Sequence, residues 1–104
     1  MAKIPDNVEQ SVKRFLAAIK RLKQVDRAYL YGSQINGTAT EWSDIDLAVI
    51  SADFSSDMFE ERLALMRLAA EIDDRIEPWP FTPDSFESSD PLASEIRRTG
   101  QEVR

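Results

Sequence analysis

Two aspartates at the start of an apolar run are the residues of this sequence best suited to chemistry. Asp44 and Asp46 are separated by one residue and lead into the apolar residues 47–50, a pattern typical of a buried strand. Because strand side chains alternate between faces, both carboxylates point the same way, about 7 Å apart. Their repulsion and partial desolvation are unfavourable unless a cation neutralises them. Carboxylate oxygens suit Mg²⁺ or Mn²⁺, and two such ions suit phosphoryl or nucleotidyl transfer.

A Gly-Ser turn upstream of the aspartates indicates an anion site. Gly32 and Ser33 follow the aromatic and aliphatic run 28–31, which predicts a strand. At a strand end, backbone N–H groups can bind phosphate, Gly32 permits close approach and the Ser33 hydroxyl adds a donor. Ten residues then separate Ser33 from Asp44. Each piece alone is typical of an ordinary turn or a solvated strand entrance, whereas the pair together indicates a site for a nucleotide and metal ions.

The composition narrows the chemistry and the class of partner. The 104 residues carry a net charge of −6 and include no His and no Cys, which excludes imidazole bases, thiolate nucleophiles and zinc-thiolate sites. The acidic balance argues against direct nucleic-acid binding, and no apolar run reaches the length of a membrane span. We therefore expect one cytoplasmic domain over residues 1–104. A P-loop is excluded because Thr38 stands where that motif requires lysine.

The elements that must position these residues follow from hydrophobic periodicity. An amphipathic helix is predicted after Pro5 with Asp6 or Asn7 as its cap, and strands are predicted at 28–31 and 44–50. A second amphipathic helix is predicted from about residue 57 to 72. Its apolar side includes Met58, Phe59, Leu63, Met66 and Ala70.

The C-terminal part of the sequence predicts one more strand and one more helix. Residues 75–81 form the strand, and Pro78 and Pro80 confine it to a sheet edge or a strand end. A short helix begins near Pro91 and ends before Gly100. The order of elements predicts an α/β (α+β) domain, with a small mixed β-sheet flanked by helices.

The string YGSQINGTATEWSDIDLAVIS at residues 31–51 resembles the signature of the DNA polymerase β-like nucleotidyltransferase superfamily, and in particular its minimal nucleotidyltransferase (MNT) branch. The segments IEPWPFTPDSF and PLASEIRRTGQEV resemble the third strand, turn and closing helix of that branch. Many members are antitoxins of a HEPN-domain toxin. The resemblance implies the nucleotidyltransferase (polymerase β-like) fold, ATP as substrate, two Mg²⁺ ions or Mn²⁺, and transfer of AMP to a hydroxyl, here a tyrosine of a HEPN toxin.

The resemblance also implies roles for single residues. The family binds its metal ions through two motif aspartates, here Asp44 and Asp46, and through a third carboxylate from a neighbouring strand. We choose Glu77, in the middle of the third predicted strand, for that third ligand and for deprotonating the acceptor hydroxyl. From the sequence alone, an ordinary charge on an edge strand is an equally good interpretation of Glu77. Asp73 and Asp74 compete for the role, but they fall at a helix end and are interpreted as a boundary.

The remaining site residues are assigned to the nucleotide phosphates. Gly32 and Ser33 are expected to hold the β- and γ-phosphates. Ser43 caps or orients the strand entrance, with a direct phosphate contact as its second interpretation. Asn36 stands where family members often carry a basic residue, so one phosphate contact of the family is missing here.

Two other functions stay open at the level of sequence. A catalytically weak or inactive antitoxin would neutralise its partner by direct binding and keep the motif as scaffold. A small-molecule nucleotidyltransferase of the aminoglycoside type would need a substrate pocket that so short a chain builds only by dimerising. We accordingly expect a homodimer or a hetero-oligomer with a toxin chain.

Overall fold

The computed structural model describes residues 4–103, which form five helices and four strands. The elements follow in the order α1 (Asp6–Lys20), β1 (Arg27–Tyr31), α2 (Ser33–Asn36), β2 (Ile45–Ile50), α3 (Met58–Ala70), β3 (Ile76–Phe81), α4 (Pro83–Phe86), α5 (Pro91–Thr99) and β4 (Gln101–Val103). None of the helices in this part of the chain is long and apolar enough to cross a membrane.

The four strands form one mixed sheet in the order β3-β2-β1-β4. Strand β1 is antiparallel to both β2 and β4, whereas β3 runs parallel to β2. The predicted α+β class is therefore confirmed, and β3 with its two prolines is an edge strand as expected. Strand β4 was not predicted because its three residues carry no apolar alternation that separates them from a chain end.

Helices cover both faces of the sheet. Helices α1 and α3 pack on one face, and α1 contributes a buried apolar stripe of Val8, Val12, Phe15, Leu16 and Ile19. Helices α4 and α5 pack on part of the other face, where Phe86, Ala93 and Ile96 are completely buried. The uncovered part of this second face carries the side chains of the candidate site.

The predicted cap of α1 is wrong. The helix already includes Asp6 and begins after Pro5, which makes no side-chain capping hydrogen bond; Asn7 lies inside the first turn, where its Oδ1 accepts a 3.0 Å hydrogen bond from the Val8 N–H. The carbonyl of Pro5 accepts the first helical hydrogen bond, from the Glu9 N–H at 3.0 Å. Proline has a fixed φ suited to entering a helix, so the helix starts before either proposed capping residue.

The predicted apolar side of α3 is also wrong. Phe59 is 72% exposed and Met66 is 39% exposed, while Glu61, Leu65 and Ala69 are buried. Apolar residues occur all round this helix, so their spacing does not select the face that contacts the sheet. Glu61 tolerates burial because its carboxylate accepts a 2.7 Å hydrogen bond from the backbone of Ser55 and pairs with Lys23.

Candidate active site

The three predicted metal ligands are brought to one end of the sheet. The parallel register of β2 and β3 pairs Asp46 with Glu77, so these side chains are neighbours on the same face. Asp44 immediately precedes β2, which begins one residue later than the sequence predicts, and its side chain is exposed. Asp46 and Glu77 are half-buried.

The carboxylates repel one another. Burial raises the pKa of Asp46 above its usual value, and the nearby charges of Asp44 and Glu77 raise it further. The ionised form of Asp46 is therefore disfavoured by its surroundings. A cation placed among the three carboxylates would remove that disadvantage, as the sequence analysis predicts for this motif.

Gly32 lies directly against the carboxylate of Asp46. Its φ is +74°, and a Cβ atom built on it would be only 2.5 Å from Asp46 Oδ2. The backbone conformation therefore favours glycine here, and any larger residue would also have to displace the Asp46 carboxylate. The Gly32 carbonyl accepts hydrogen bonds from the N–H groups of Ile35 and Asn36, which close the short helix α2 beginning at Ser33. The predicted close backbone approach is directed at a motif aspartate, and the phosphate-binding roles of Gly32 and Ser33 stay predictions.

The loop between α2 and β2 is fixed by two polar residues. Ser43 Oγ accepts a 2.9 Å hydrogen bond from the Thr40 N–H and so closes the turn before Asp44. Gln34, which is only 4% exposed, donates from Nε2 to the Asp44 carbonyl over 3.3 Å. Ser43 thus orients the strand entrance, while its phosphate contact stays a prediction. Gln34 was not predicted as a site residue, because its only signal in the sequence is its position inside the motif.

Arg62 of α3 adds a positive charge to the site and was also not predicted from the sequence. Its Nη2 lies 3.6 Å from Glu77 Oε2, and its guanidinium lies 3.7 Å from the centre of the Trp79 ring. Its Nε also donates to the Pro78 carbonyl at 3.3 Å. Because α3 and β3 meet only in the folded protein, no local sequence pattern could have joined these residues. Arg62 balances the charge of Glu77.

Tyr31 supplies a buried phenol beside the carboxylates. It pairs with Asp46 across β1 and β2, and its hydroxyl has no hydrogen-bond partner among residues 4–103. Burial raises its pKa, Asp46 and Glu77 raise it further, and Arg62 opposes the increase. The phenol is therefore neutral at physiological pH.

Asp73 and Asp74, the alternative candidates for the third metal ligand, have different surroundings from Glu77. Asp73 forms a 2.7 Å ion pair with Arg75 and accepts a 2.7 Å hydrogen bond from Ser11 Oγ. These contacts, above all the hydrogen bond from Arg75, hold the pKa of Asp73 well below its usual range. Asp74 is exposed at the same corner. Asp73 is thus fully engaged in joining α1 to the start of β3, as expected of a structural boundary.

The donor set fits a hard divalent cation in its chemistry. Asp44, Asp46 and Glu77 offer only carboxylate oxygens, and burial together with their mutual repulsion raises the pKa of Asp46. In their present rotamers, no three acidic side chains of residues 4–103 converge closely enough to hold a metal ion. Glu77 is instead turned towards Arg62, so ion binding would require it to leave that pair.

Comparison with known proteins identifies the family. The sequence profile of the family described as nucleotidyltransferase domain matches residues 12–98. The chain belongs to the nucleotidyltransferase family. The matched stretch runs from α1 into α5 and includes the Gly-Ser turn, the aspartate pair and Glu77. No curated protein matches this nucleotidyltransferase by sequence.

Solved structures agree with the family. A chain from the crystal structure of a toxin-antitoxin with AMP-PNP is 25% identical, with a TM-score of 0.65 over 90% of this chain and 70% of that chain. The toxin-antitoxin MntA-HepT matches at 21% identity and a TM-score of 0.60, over 94% of this chain and 70% of that one.

A third similar structure contains a tri-AMPylated HEPN toxin of Shewanella oneidensis in complex with an MNT antitoxin. It matches at 22% identity and a TM-score of 0.58, over 91% of this chain and 67% of that chain. Together the matches confirm the predicted nucleotidyltransferase fold and the resemblance to MNT domains.

Proposed function

We propose that this nucleotidyltransferase domain transfers AMP from ATP to a hydroxyl, and that the acceptor is a tyrosine of a HEPN toxin that it neutralises. The observation that carries the proposal is the pairing of Asp46 with Glu77 beside Asp44, with the backbone of Gly32 against the Asp46 carboxylate. The similar structures support the substrate and the partner, since one contains AMP-PNP and another an AMPylated HEPN toxin.

In this proposal Asp44, Asp46 and Glu77 bind Mg²⁺, or Mn²⁺ in its place. Bound divalent cations supply charge neutralisation for the triphosphate and for the leaving pyrophosphate. The protein needs no His or Cys for this chemistry, because nucleotidyl transfer depends mostly on positioning and on electrostatic stabilisation.

The other residues position the reacting groups. Gly32 and Ser33 hold the β- and γ-phosphates through backbone N–H groups and the Ser33 hydroxyl, and Ser43 keeps Asp44 at the strand entrance. The acceptor oxygen attacks the α-phosphorus, the bond from that phosphorus to the bridging oxygen breaks, and pyrophosphate leaves. Glu77 takes the proton of the acceptor once its carboxylate has left Arg62.

Calorimetric titration of ATP, with and without Mg²⁺, tests the site without requiring the acceptor. We expect Mg²⁺-dependent binding that weakens about a hundred-fold or more in Asp44→Asn and in Asp46→Asn, since even partners of metal ligands contribute about ten- to a hundred-fold. Asp6→Asn, which removes an exposed carboxylate from α1, is the matched control and should bind as the wild type does. Failure of the folded wild-type chain to bind ATP would contradict the proposal.

Neutralisation of the toxin by direct binding is the second candidate function. The observation that favours it is the ion pair of Arg62 with Glu77, which occupies the third carboxylate. The two functions differ in the behaviour of Asp46→Asn towards a HEPN partner. A contact antitoxin would still neutralise that partner, whereas an enzyme would lose both neutralisation and the AMP adduct that mass spectrometry detects on the partner.

A further inference from the structure

We propose that a groove beside the edge strand β3 is the acceptor subsite and that it takes a phenol side chain; this inference rests on the proposed function. The groove has a volume of about 570 Å³ and is lined in part by Met58, Phe59, Arg62, Trp79, Ser88 and Leu92. We call it the acceptor groove. Its size is within the usual range of about 300–1,000 Å³ for ligand pockets, so the expectation that this chain builds a pocket only by dimerising is wrong.

The position of the acceptor groove follows from the strand order. Gly32 and Ser33 come after β1, Asp46 lies on β2, and Glu77 lies on β3, so they form a row across the sheet. In an in-line displacement, the attacking oxygen and the leaving group are on opposite sides of the phosphorus. With pyrophosphate held on the β1 side, the acceptor must arrive from the β3 side. The acceptor groove opens on that side.

The distance between the acceptor groove and the carboxylates selects a long hydroxyl-bearing side chain. Trp79 lies two residues from Glu77 on β3, so both side chains share a face and are separated by about 7 Å. A serine or threonine side chain seated beside Trp79 would be too short to place its hydroxyl at Glu77. A tyrosine spans that distance, because its hydroxyl is at the far end of the ring.

The walls of the acceptor groove suit an aromatic ring. Phe59, Trp79 and Leu92 give it an apolar surface, and Phe59 is 72% exposed at its mouth. A concave apolar surface rimmed by polar residues, here Ser88 and Asp90, is typical of a ligand-binding groove. Aromatic rings stack favourably on such walls.

Arg62 separates the acceptor groove from the carboxylates. Its guanidinium contacts the Trp79 ring on one side and the Glu77 carboxylate on the other. A hydroxyl that reaches Glu77 from the groove must therefore pass beside a positive charge. That charge offsets the repulsion that the Glu77 carboxylate would exert on a hydroxyl losing its proton, and phenols deprotonate far more readily than aliphatic alcohols.

Nuclear magnetic resonance of the full chain tests the acceptor groove directly. The probe is N-acetyl-L-tyrosinamide, titrated with and without Mg²⁺ and α,β-methylene-ATP, and N-acetyl-L-alaninamide is the control ligand. We expect a saturable shift of the Trp79 indole N–H with the tyrosine probe alone. The indole of Trp42, which is 83% exposed outside the acceptor groove, should not shift.

Two matched variants separate binding from folding. Phe59→Ala removes an exposed wall residue and should weaken probe binding about three- to ten-fold, the contribution of an aromatic pair. Leu22→Ala removes a similarly exposed apolar residue, 76% exposed, beyond the end of α1 and should change nothing. Mg²⁺-dependent ATP affinity should be the same in both variants as in the wild type.

The other possible results contradict either the acceptor groove or the proposed function, and they can be told apart. No shift of Trp79, or an equal shift with the alanine compound, overturns the acceptor groove even if ATP binds normally. Weaker ATP binding by Phe59→Ala also overturns it, because the groove would then belong to the nucleotide. Loss of ATP binding by the wild type overturns the proposed function, and the nucleotide-free titration still decides whether the groove takes a phenol.

Discussion

Asp46 in the candidate site and Asp73 at the corner before β3 are the same functional group in opposite surroundings. Asp73 receives hydrogen bonds from Arg75 and Ser11, and its pKa is held well below the usual range. Asp46 lies among other carboxylates, and burial and repulsion raise its pKa. A carboxylate that is hydrogen-bonded and ion-paired within the protein stabilises the fold. A carboxylate whose ionised form is disfavoured by burial and by neighbouring negative charges is suited to bind a cation.

Gly32→Ala is expected to have the largest effect, because the new side chain intrudes on Asp46. The new Cβ would lie 2.5 Å from Asp46 Oδ2, at a backbone conformation that only glycine adopts easily. We expect the free energy of unfolding to fall by about 2–3 kcal/mol and Mg²⁺-dependent ATP binding to weaken. Urea denaturation and calorimetry measure the two effects.

Gly37→Ala is the matched control for that substitution. Gly37 has a similar φ of +84°, but its ψ of 9° places it in the left-handed helical region that other residues can adopt, and it is exposed, so we expect a loss of only about 1 kcal/mol. Equal losses in the two variants would show that the contact of Gly32 with Asp46 has no special effect.

Asp73→Asn should destabilise the fold without affecting the site. It removes the charge that holds Arg75 and the acceptor of the Ser11 hydrogen bond, so we expect a loss of about 2 kcal/mol in urea denaturation at pH 7. ATP affinity should be unchanged. A change in affinity with no loss of stability would assign Asp73 to the site instead.

The pH dependence of stability tests whether ionised Asp73 stabilises the fold. Since the pKa of Asp73 is lower in the folded than in the unfolded chain, its stabilisation is present above the unfolded value and is lost as the pH falls. We expect the stability difference between wild type and Asp73→Asn to narrow between about pH 5 and pH 3. Urea denaturation at several pH values measures it, and a constant difference would exclude ionised Asp73 as the cause.

Asp46→Asn should have the smallest effect on stability. It should stabilise the protein, whereas Asp73→Asn should destabilise it. Because the pKa of Asp46 is raised by folding, the native state is destabilised as the pH rises through that pKa and Asp46 ionises. Removing the charge should therefore raise the unfolding free energy at pH 7, by well under about 1 kcal/mol because solvent screens a half-buried group. Denaturation without Mg²⁺ measures it, and a clear loss would show that Asp46 supports the fold.

The sequence predicted the parts of the site that depend on local spacing. The Gly-Ser turn, the aspartate pair and the edge position of β3 all follow from short patterns, and the structure has each of them. The choice of Glu77 rested on the family resemblance. Its place beside Asp46 depends on the parallel register of two strands that are far apart in the sequence.

The parts that the sequence did not predict are contacts between distant elements. Packing on the sheet determines which face of α3 is buried. Apolar residues occur on all sides of this helix, so hydrophobic periodicity does not predict the buried face. The contact of Arg62 with Glu77 and Trp79 needs α3 and β3 to be packed together. The predicted cap of α1 was wrong for a local reason. A proline and a capping side chain compete for the same position at the start of a helix, and here Pro5 occupies it.

The prolines of β3 also determine how another chain can meet this protein. Pro78 and Pro80 have no N–H, and the N–H of Ile76 on the same outer edge already bonds to the Asp73 carbonyl. An approaching strand would find no donor at these three positions, so extension of the sheet by a foreign strand is disfavoured at this edge. A partner that binds here must be recognised through side chains, and the protein is protected there from edge-to-edge aggregation.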